Sequence, residues 1–283
     1  MEKRRIGYSQ EKYFFMGAPA IIWQSLFFFL PLLFVLVLSF LEPASCKPLF
    51  TIANYINILA YAPVKAILTS LLLALLNVFL CLLVAYPMAY CLVFKVRHWQ
   101  NVLMFFLTLP LWVNFLVQVY AWFFILERNG LVNNVLMKIG LISEPLHLMN
   151  NMFSIVLVMF HVYLPFMVMP IYNILEKLDF HLIEAANDLG ASWWQTLKTV
   201  TLPLSISGIQ LGSFLVFVLS FGEFIIPTLL GGEKTLFVGP LISQYFLSLP
   251  SMSQGAAFTV LSSMSLIFTL GFLRFVSSKW ARG

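Results

Sequence analysis

Apolar runs near residues 17–41, 66–94, 102–126, 152–172, 204–230 and 256–276 are each long enough to cross a bilayer. A hydrocarbon core of about 30 Å needs about 20 helical residues. Inside that core the backbone finds no water, so spans of this kind fold as helices that satisfy their own N–H and C=O groups. Composition points the same way. The chain is 61% hydrophobic and 10% charged, with mean hydropathy +0.95, whereas a soluble domain carries about 25% charged residues. The expectation is an all-α polytopic membrane protein with six transmembrane helices. Residues 1–16 read as an N-terminal segment and 17–283 as one transmembrane domain. At 283 residues, no room is left for a soluble catalytic domain. The first run is too long for the apolar part of a signal peptide, and no small-x-small cleavage site follows it. It reads as a retained span.

Lysine and arginine set the orientation. An even number of spans puts both termini on one side, together with the 173–203 loop. That side holds Lys3, Arg4, Arg5, Lys12, Lys95, Arg97, Lys177, Lys198, Arg274, Lys279 and Arg282. The other side holds only Lys47, Lys65, Arg128, Lys138 and Lys234. The excess marks the cytoplasmic face. The net charge of +5 is spread over these loops. It therefore speaks for topology and against a nucleic-acid partner.

Nothing in the chain suggests chemistry of its own. Cys81 and Cys91 lie about 15 Å apart along one helix, beyond the roughly 7 Å a disulfide allows, and Cys46 stands outside that span. His98, His147, His161 and His181 are scattered and form no metal-ligand spacing. No phosphate-binding loop, dinucleotide fingerprint or hydrolase elbow is present. No catalytic residue, metal or cofactor is expected here. If ATP-Mg drives the protein, another chain binds it.

The longest polar stretch between spans runs from Glu184 to Pro203. Ile183, Ala186, Gly190, Trp193 and Leu197 recur at helical spacing, with Glu184, Asp188, Gln195 and Lys198 elsewhere on the surface. Gly190 suits the left-handed residue that closes a helix. Ser192 and Gln195 have the spacing of a capping box. Leu202-Pro203 is expected to end the second helix, because proline disfavours helical geometry in the residue before it. Two short helices at an angle result, with small residues Ala185, Ala186 and Gly190 where another surface can approach. An amphipathic connector lying on the lipid interface fits the same pattern.

Within the spans, Glu223 is the ionisable group that demands a reason, since a charge at the bilayer centre costs about 3 kcal/mol. It either faces a pathway or bonds to a neighbouring helix. Span three carries Pro110, Trp112, Asn114, Gln118, Tyr120 and Trp122. Asn114 and Gln118 fall one turn apart on one face. Such amides join membrane helices, and such aromatics anchor interfaces. Beside a carboxylate, the same aromatics suit an organic ammonium. His161 and Tyr163 in span four are weaker candidates. Pro19, Pro31, Pro87, Pro110, Pro165, Pro170 and Pro227 fall in spans one to five. They read equally as hinges or as kinks of a packed bundle.

Glu184-Ala185-Ala186, Gly190 four residues on, and Val200-x-Leu202-Pro203 resemble the EAA loop of ABC importer permeases. Val200 stands where that motif has Ile. The resemblance implies the type I importer permease (MetI-like) fold. It implies that this loop docks on an ATPase subunit, through Glu184, Ala185, Ala186, Asp188, Gly190, Leu202 and Pro203. The runs at 109–122, 129–133, 163–172, 176–179 and 222–232 are similar to the first of the two permeases of spermidine/putrescine ABC importers (PotB/PotH type). The similarity extends from about residue 50 to the C-terminus. It implies a bacterial inner-membrane location, half of a translocation pathway, and Glu223, Trp112, Asn114, Gln118, Tyr120 and Trp122 along it. It implies a second permease (PotC/PotI-like), two ATPase subunits (PotA-like) that bind ATP-Mg, an extracytoplasmic binding protein (PotD-like), a polyamine substrate and membrane lipid. The family often has Arg where Gln118 stands, which leaves the substrate open to another amine, phosphonate, sulfate or iron. A secondary transporter would need more buried coupling groups than one Glu.

Overall fold

The computed structural model describes residues 10–41, 50–59, 61–232, 236–248 and 251–280. Expectations resting on residues 1–9, Cys46, Lys47, Lys234 and Arg282 lie outside them. In chain order the helices are α1 (Gln10–Gln24), α2 (Leu30–Leu38), α3 (Ala53–Ile58), α4 (Tyr61–Phe94), α5 (Gln100–Trp112), α6 (Phe115–Leu126) and α7 (Leu131–Lys138). They continue with α8 (Met152–Leu175), α9 (Phe180–Asp188), α10 (Trp193–Thr196), α11 (Leu202–Phe221), α12 (Ile225–Leu230), α13 (Val238–Leu247) and α14 (Met252–Trp280). The all-α class is as expected from the apolar runs. Among the described residues, five uninterrupted helical segments are long and apolar enough to cross a membrane. They are Gly17–Leu38, Ala62–Phe94, Met152–Leu175, Trp193–Phe221 and Met252–Phe275.

The third span is a correction. The run expected at 102–126 is no single helix: Arg97–Trp112 and Phe115–Lys138 meet at 94°. Pro110 offers no N–H to the preceding turn. Val113 is then extended, at φ −83° and ψ 138°, and Asn114 restarts the helix. Six spans are obtained when this bent pair counts as one.

Two Leu-Pro steps teach the opposite lesson. Pro203 was expected to end a loop helix, yet helix runs unbroken from Trp193 to Phe221. A five-residue π-helical turn, Leu197–Thr201, precedes it, with the Leu202 N–H bonded to the Leu197 carbonyl. The wide turn carries each carbonyl one residue further along. Proline's missing N–H and its clash with the residue four back are thereby accommodated. The same device, Ser25–Phe29, sits before Pro31 and joins α1 to α2.

The described residues form two compact units, one within 1–60 and 245–261, the other within 61–244 and 262–283. In the first, the apolar side chains from Ile21 to Phe34 are largely exposed. Buried Asn54 donates to the Ser39 and Leu41 carbonyls at 3.0 and 2.8 Å and holds α3 against the end of α2.

In the second unit α8 is central. Its Ile155, Val158, Met159, Met167, Val168, Ile171 and Leu175 are fully buried, and α4 and α11 pack on it. Small residues let them close in. Ala74, Cys81, Ala85 and Ala89 line the buried face of α4. On α11, a Cβ at Gly208 would lie 2.8 Å from the Pro170 carbonyl, and one at Gly212 would lie 2.8 Å from the Met167 sulfur. This small-xxx-small spacing serves membrane helices that have no hydrophobic driving force between them. Asn77 on α4 adds a buried bond to the Ser220 hydroxyl at 2.8 Å.

Candidate functional site

The 173–203 loop is built from local signals. Asp179 caps α9 by accepting from the His181 N–H at 3.0 Å. At the other end Gly190 has φ +78°. Its N–H donates to the Asn187 carbonyl at 2.9 Å, and the Ala191 N–H donates to the Ala186 carbonyl at 3.0 Å. That pair of bonds is a Schellman closure, which requires a left-handed residue. A Cβ on Gly190 would meet nothing within 4 Å, so the requirement is conformational. Ser192 and Gln195 form the capping box, at 2.7 and 3.4 Å.

Helix α9 turns Phe180, Ile183 and Ala186 inward, each half-buried. Glu184, Ala185, Asp188 and Gly190 are exposed, and so is Leu189, at 89%. The Glu184 carboxylate stands 3.2 Å from the His181 imidazole. Both groups are well exposed, and such pairs contribute little, about 0–1 kcal/mol. Leu202 and Pro203 lie apart from this surface, at the start of α11.

Glu223 occupies a second interruption. The span expected at 204–230 stops at Phe221 and resumes at Ile225. One carboxylate oxygen accepts from the Ile225 and Ile226 N–H groups at 2.8 and 3.1 Å. The other accepts from the Tyr163 hydroxyl of α8. Glu223 thus closes the free N–H groups that begin α12, with its charge at the favourable end of the helix dipole. Gly239 packs on this break: a Cβ there would lie 2.8 Å from the Glu223 carbonyl carbon.

The span-three residues are dispersed. Asn114 caps α6 by accepting from the Leu116 N–H at 2.9 Å. Gln118 donates back across the bend to the Pro110 and Val113 carbonyls. The two therefore serve the bend and do not form one continuous helical face. Trp112 is 81% exposed at the end of α5. Tyr120 is also exposed, and Trp122 is half-buried with its ring 5.2 Å from that of His161. The hydrogen-bond partners of Glu223 come from α8 and α12. Tyr163, a minor candidate by sequence, is the side chain that reaches it.

Several structural residues lay outside the sequence reading. Thr69 and Ser70 on α4 bond the Leu236 carbonyl at 2.5 Å and the Val238 N–H at 2.9 Å. Buried Asn133 organises residues 127–146 by bonding the Arg128 carbonyl at 3.1 Å and both the N–H and the carbonyl of Leu146 at 3.0 Å. The glycine spacing at 208 and 212 was a legible signal; the hydroxyl contacts had none. Among the described residues, no group of three or more His, Cys, Asp or Glu stands together to hold a metal.

Residues 82–282 match the family described as "Binding-protein-dependent transport system inner membrane component". The chain is 35% identical over 257 residues to the spermidine/putrescine transport system permease protein PotB of Escherichia coli K12, covering 90% of this chain and 92% of that protein. It is 31% identical to the inner membrane ABC transporter permease protein YdcU of the same organism, over 81% of this chain and 77% of the relative. In fold it is similar to a chain of a bacterial alginate ABC transporter solved in complex with an alginate pentasaccharide-bound periplasmic protein. The TM-score there is 0.79 and the identity 16%, covering 96% of each chain. The interrupted helices and the exposed helix pair thus sit in a chain that belongs to the inner-membrane permease components of binding-protein-dependent ABC transport systems and is not itself an enzyme.

Proposed function

We propose that this chain is one permease subunit of an ATP-driven importer of polyamines, with spermidine and putrescine as the substrate class. A second permease supplies the other half of the pathway. Two ATPase subunits bind ATP-Mg, and an extracytoplasmic binding protein delivers the solute. Both termini and the 173–203 loop face the cytoplasm, as the basic residues imply. The exposed side of α9, with Glu184, Ala185 and Asp188, docks on an ATPase subunit, and Gly190 sets the angle to α10. Leu202 and Pro203 carry that movement into α11.

The observation that supports this most is α9 itself. It is a helix with both ends closed by its own chain and its outward face exposed, in a chain similar to PotB over 90% of its length. The substrate class rests additionally on Glu223. Asn caps a helix about as well as an acid does, so capping alone leaves the charge unexplained. A fixed carboxylate offsets the cost of moving an ammonium group out of water.

The test is uptake of labelled putrescine and spermidine by the full assembly in proteoliposomes, with sulfate, phosphonate and iron alongside. Saturable, ATP-dependent polyamine uptake is expected. Uptake of an anion in its place would overturn the substrate class. Gly190→Val forces a β-branched residue into a left-handed conformation and should lower ATPase association or uptake about tenfold. Normal values for both would overturn the docking reading.

A further inference from the structure

A nine-residue helix cannot hold its own orientation. Isolated helices shorter than about 12–15 residues are marginal in water, and most of the surface of α9 is exposed. Something else must fix the angle at which it stands. Side chains from the last turns of α4 and the turn just after it do so. Phe180 is the first residue of α9, and its ring lies 5.5 Å from that of Phe94, edge to face. The Arg97 guanidinium sits 5.0 Å over the same Phe180 ring. Trp193 is the first residue of α10; its ring is 5.9 Å from that of Tyr90, and its indole N–H donates to the Tyr90 hydroxyl at 2.9 Å. Tyr90 and Phe94 are one turn apart on α4 with rings 4.7 Å apart. Both helices of the loop therefore start on a single ladder, Phe180–Phe94–Tyr90–Trp193. Edge-to-face pairs are directional, so the ladder specifies an orientation as well as a contact.

We propose that this ladder is the positioning device of the loop, locking its stance to α4 so that movement of the loop is delivered to α4 as well as to α11. The inference rests on the docking reading of α9. The other end of α4 gives it meaning. Asn77 bonds Ser220, beside the interruption that holds Glu223, and Ser70 and Thr69 bond Val238 and Leu236, next to the Gly239 that packs on it. One continuous helix of 34 residues, with Pro87 inside it, thus joins the loop to the broken part of the pathway. A loop attached only through its neighbours in sequence, α8 and α11, would lack this route.

The assembled transporter, with ATPase, second permease and binding protein in proteoliposomes, provides the test. Phe94→Leu keeps apolar bulk and removes the middle ring. Trp193→Phe keeps one ring and removes the N–H donor with the rest of the indole, a milder change that guards against a folding failure in the first variant. The readout is solute imported per ATP hydrolysed, with ATPase retention measured on the same preparation. Retention within about twofold of the unaltered assembly is expected, with the transport ratio falling about fivefold in Phe94→Leu and about twofold in Trp193→Phe. An unchanged ratio in both, or loss of the ATPase from both, would overturn the inference. Cross-linking of the ATPase to Ala185→Cys is the separate arm. Failure to cross-link refutes the docking reading, whereas cross-linking with an unchanged ratio refutes the ladder alone.

Discussion

Two spans are interrupted, and they are closed in different currencies. At the bend between α5 and α6 the closing groups are neutral: Asn114 accepts from the Leu116 N–H, and Gln118 donates to the Pro110 and Val113 carbonyls. At the break between α11 and α12 the closing group is a carboxylate with three donors, two backbone N–H groups and the Tyr163 hydroxyl. Backbone geometry accounts for the first pair completely. It accounts for the shape of Glu223 and leaves its charge over. A membrane protein that needed only a cap would use a neutral one, because an ionised group there costs several kcal/mol more. The difference separates polar residues that only repair a helix from one that, in the function proposed above, also presents a charge to the solute.

That contrast can be broken by substitution. The largest effect is expected from Glu223→Ala, which strands two N–H groups and a hydroxyl. Each unsatisfied buried group costs about 1–3 kcal/mol, so a loss of about 3–9 kcal/mol for the three should appear as a lower unfolding midpoint in detergent. Tyr163→Phe removes one bond to a charged acceptor, about 1.5–3 kcal/mol. It should lower polyamine uptake several-fold while the assembly still forms, as judged by co-purification. Asn114→Ala removes a neutral cap and should cost about 1 kcal/mol, in the same melt, with no selectivity between cations and anions in uptake. Asn114→Ser keeps a capping oxygen and should fall within about 0.5 kcal/mol of the unaltered chain. A larger effect at Asn114 than at Glu223 would invert the comparison.

Legibility followed the range of the interactions. The α9–α10 loop was readable because its determinants lie within a few residues of one another: Gly190 with its Schellman bonds, and Ser192 with Gln195. The span count was readable because bilayer thickness fixes helix length. The outcome at proline was not. Pro203 is absorbed by a π turn, while the span containing Pro110 bends by 94°. The difference is local: a wide turn re-pairs the carbonyls before Pro203, whereas at the bend Gln118 takes up the Pro110 and Val113 carbonyls and Asn114 the Leu116 N–H, and residue spacing alone does not choose between the two. Gly222–Phe224 interrupts its span four residues before Pro227, which has no N–H to offer the Glu223 carbonyl; there Gly239 and Tyr163, distant in sequence, hold the break. The same reason hid the ladder on α4, whose rings come from three separate elements.

If the charge of Glu223 acts on a cationic solute, Glu223→Gln in the reconstituted assembly will show it. The amide keeps a carbonyl acceptor for the Ile225 and Ile226 N–H groups, so the cap survives; its NH2 replaces the oxygen that accepts from Tyr163, so Tyr163→Phe is the control that separates loss of that bond from loss of the charge. Initial rates of putrescine and spermidine uptake would be measured beside ATPase co-purification. An intact assembly is expected, with polyamine uptake reduced about tenfold, more for the more highly charged spermidine. Uptake of both at the unaltered rate would contradict it and leave Glu223 a helix cap.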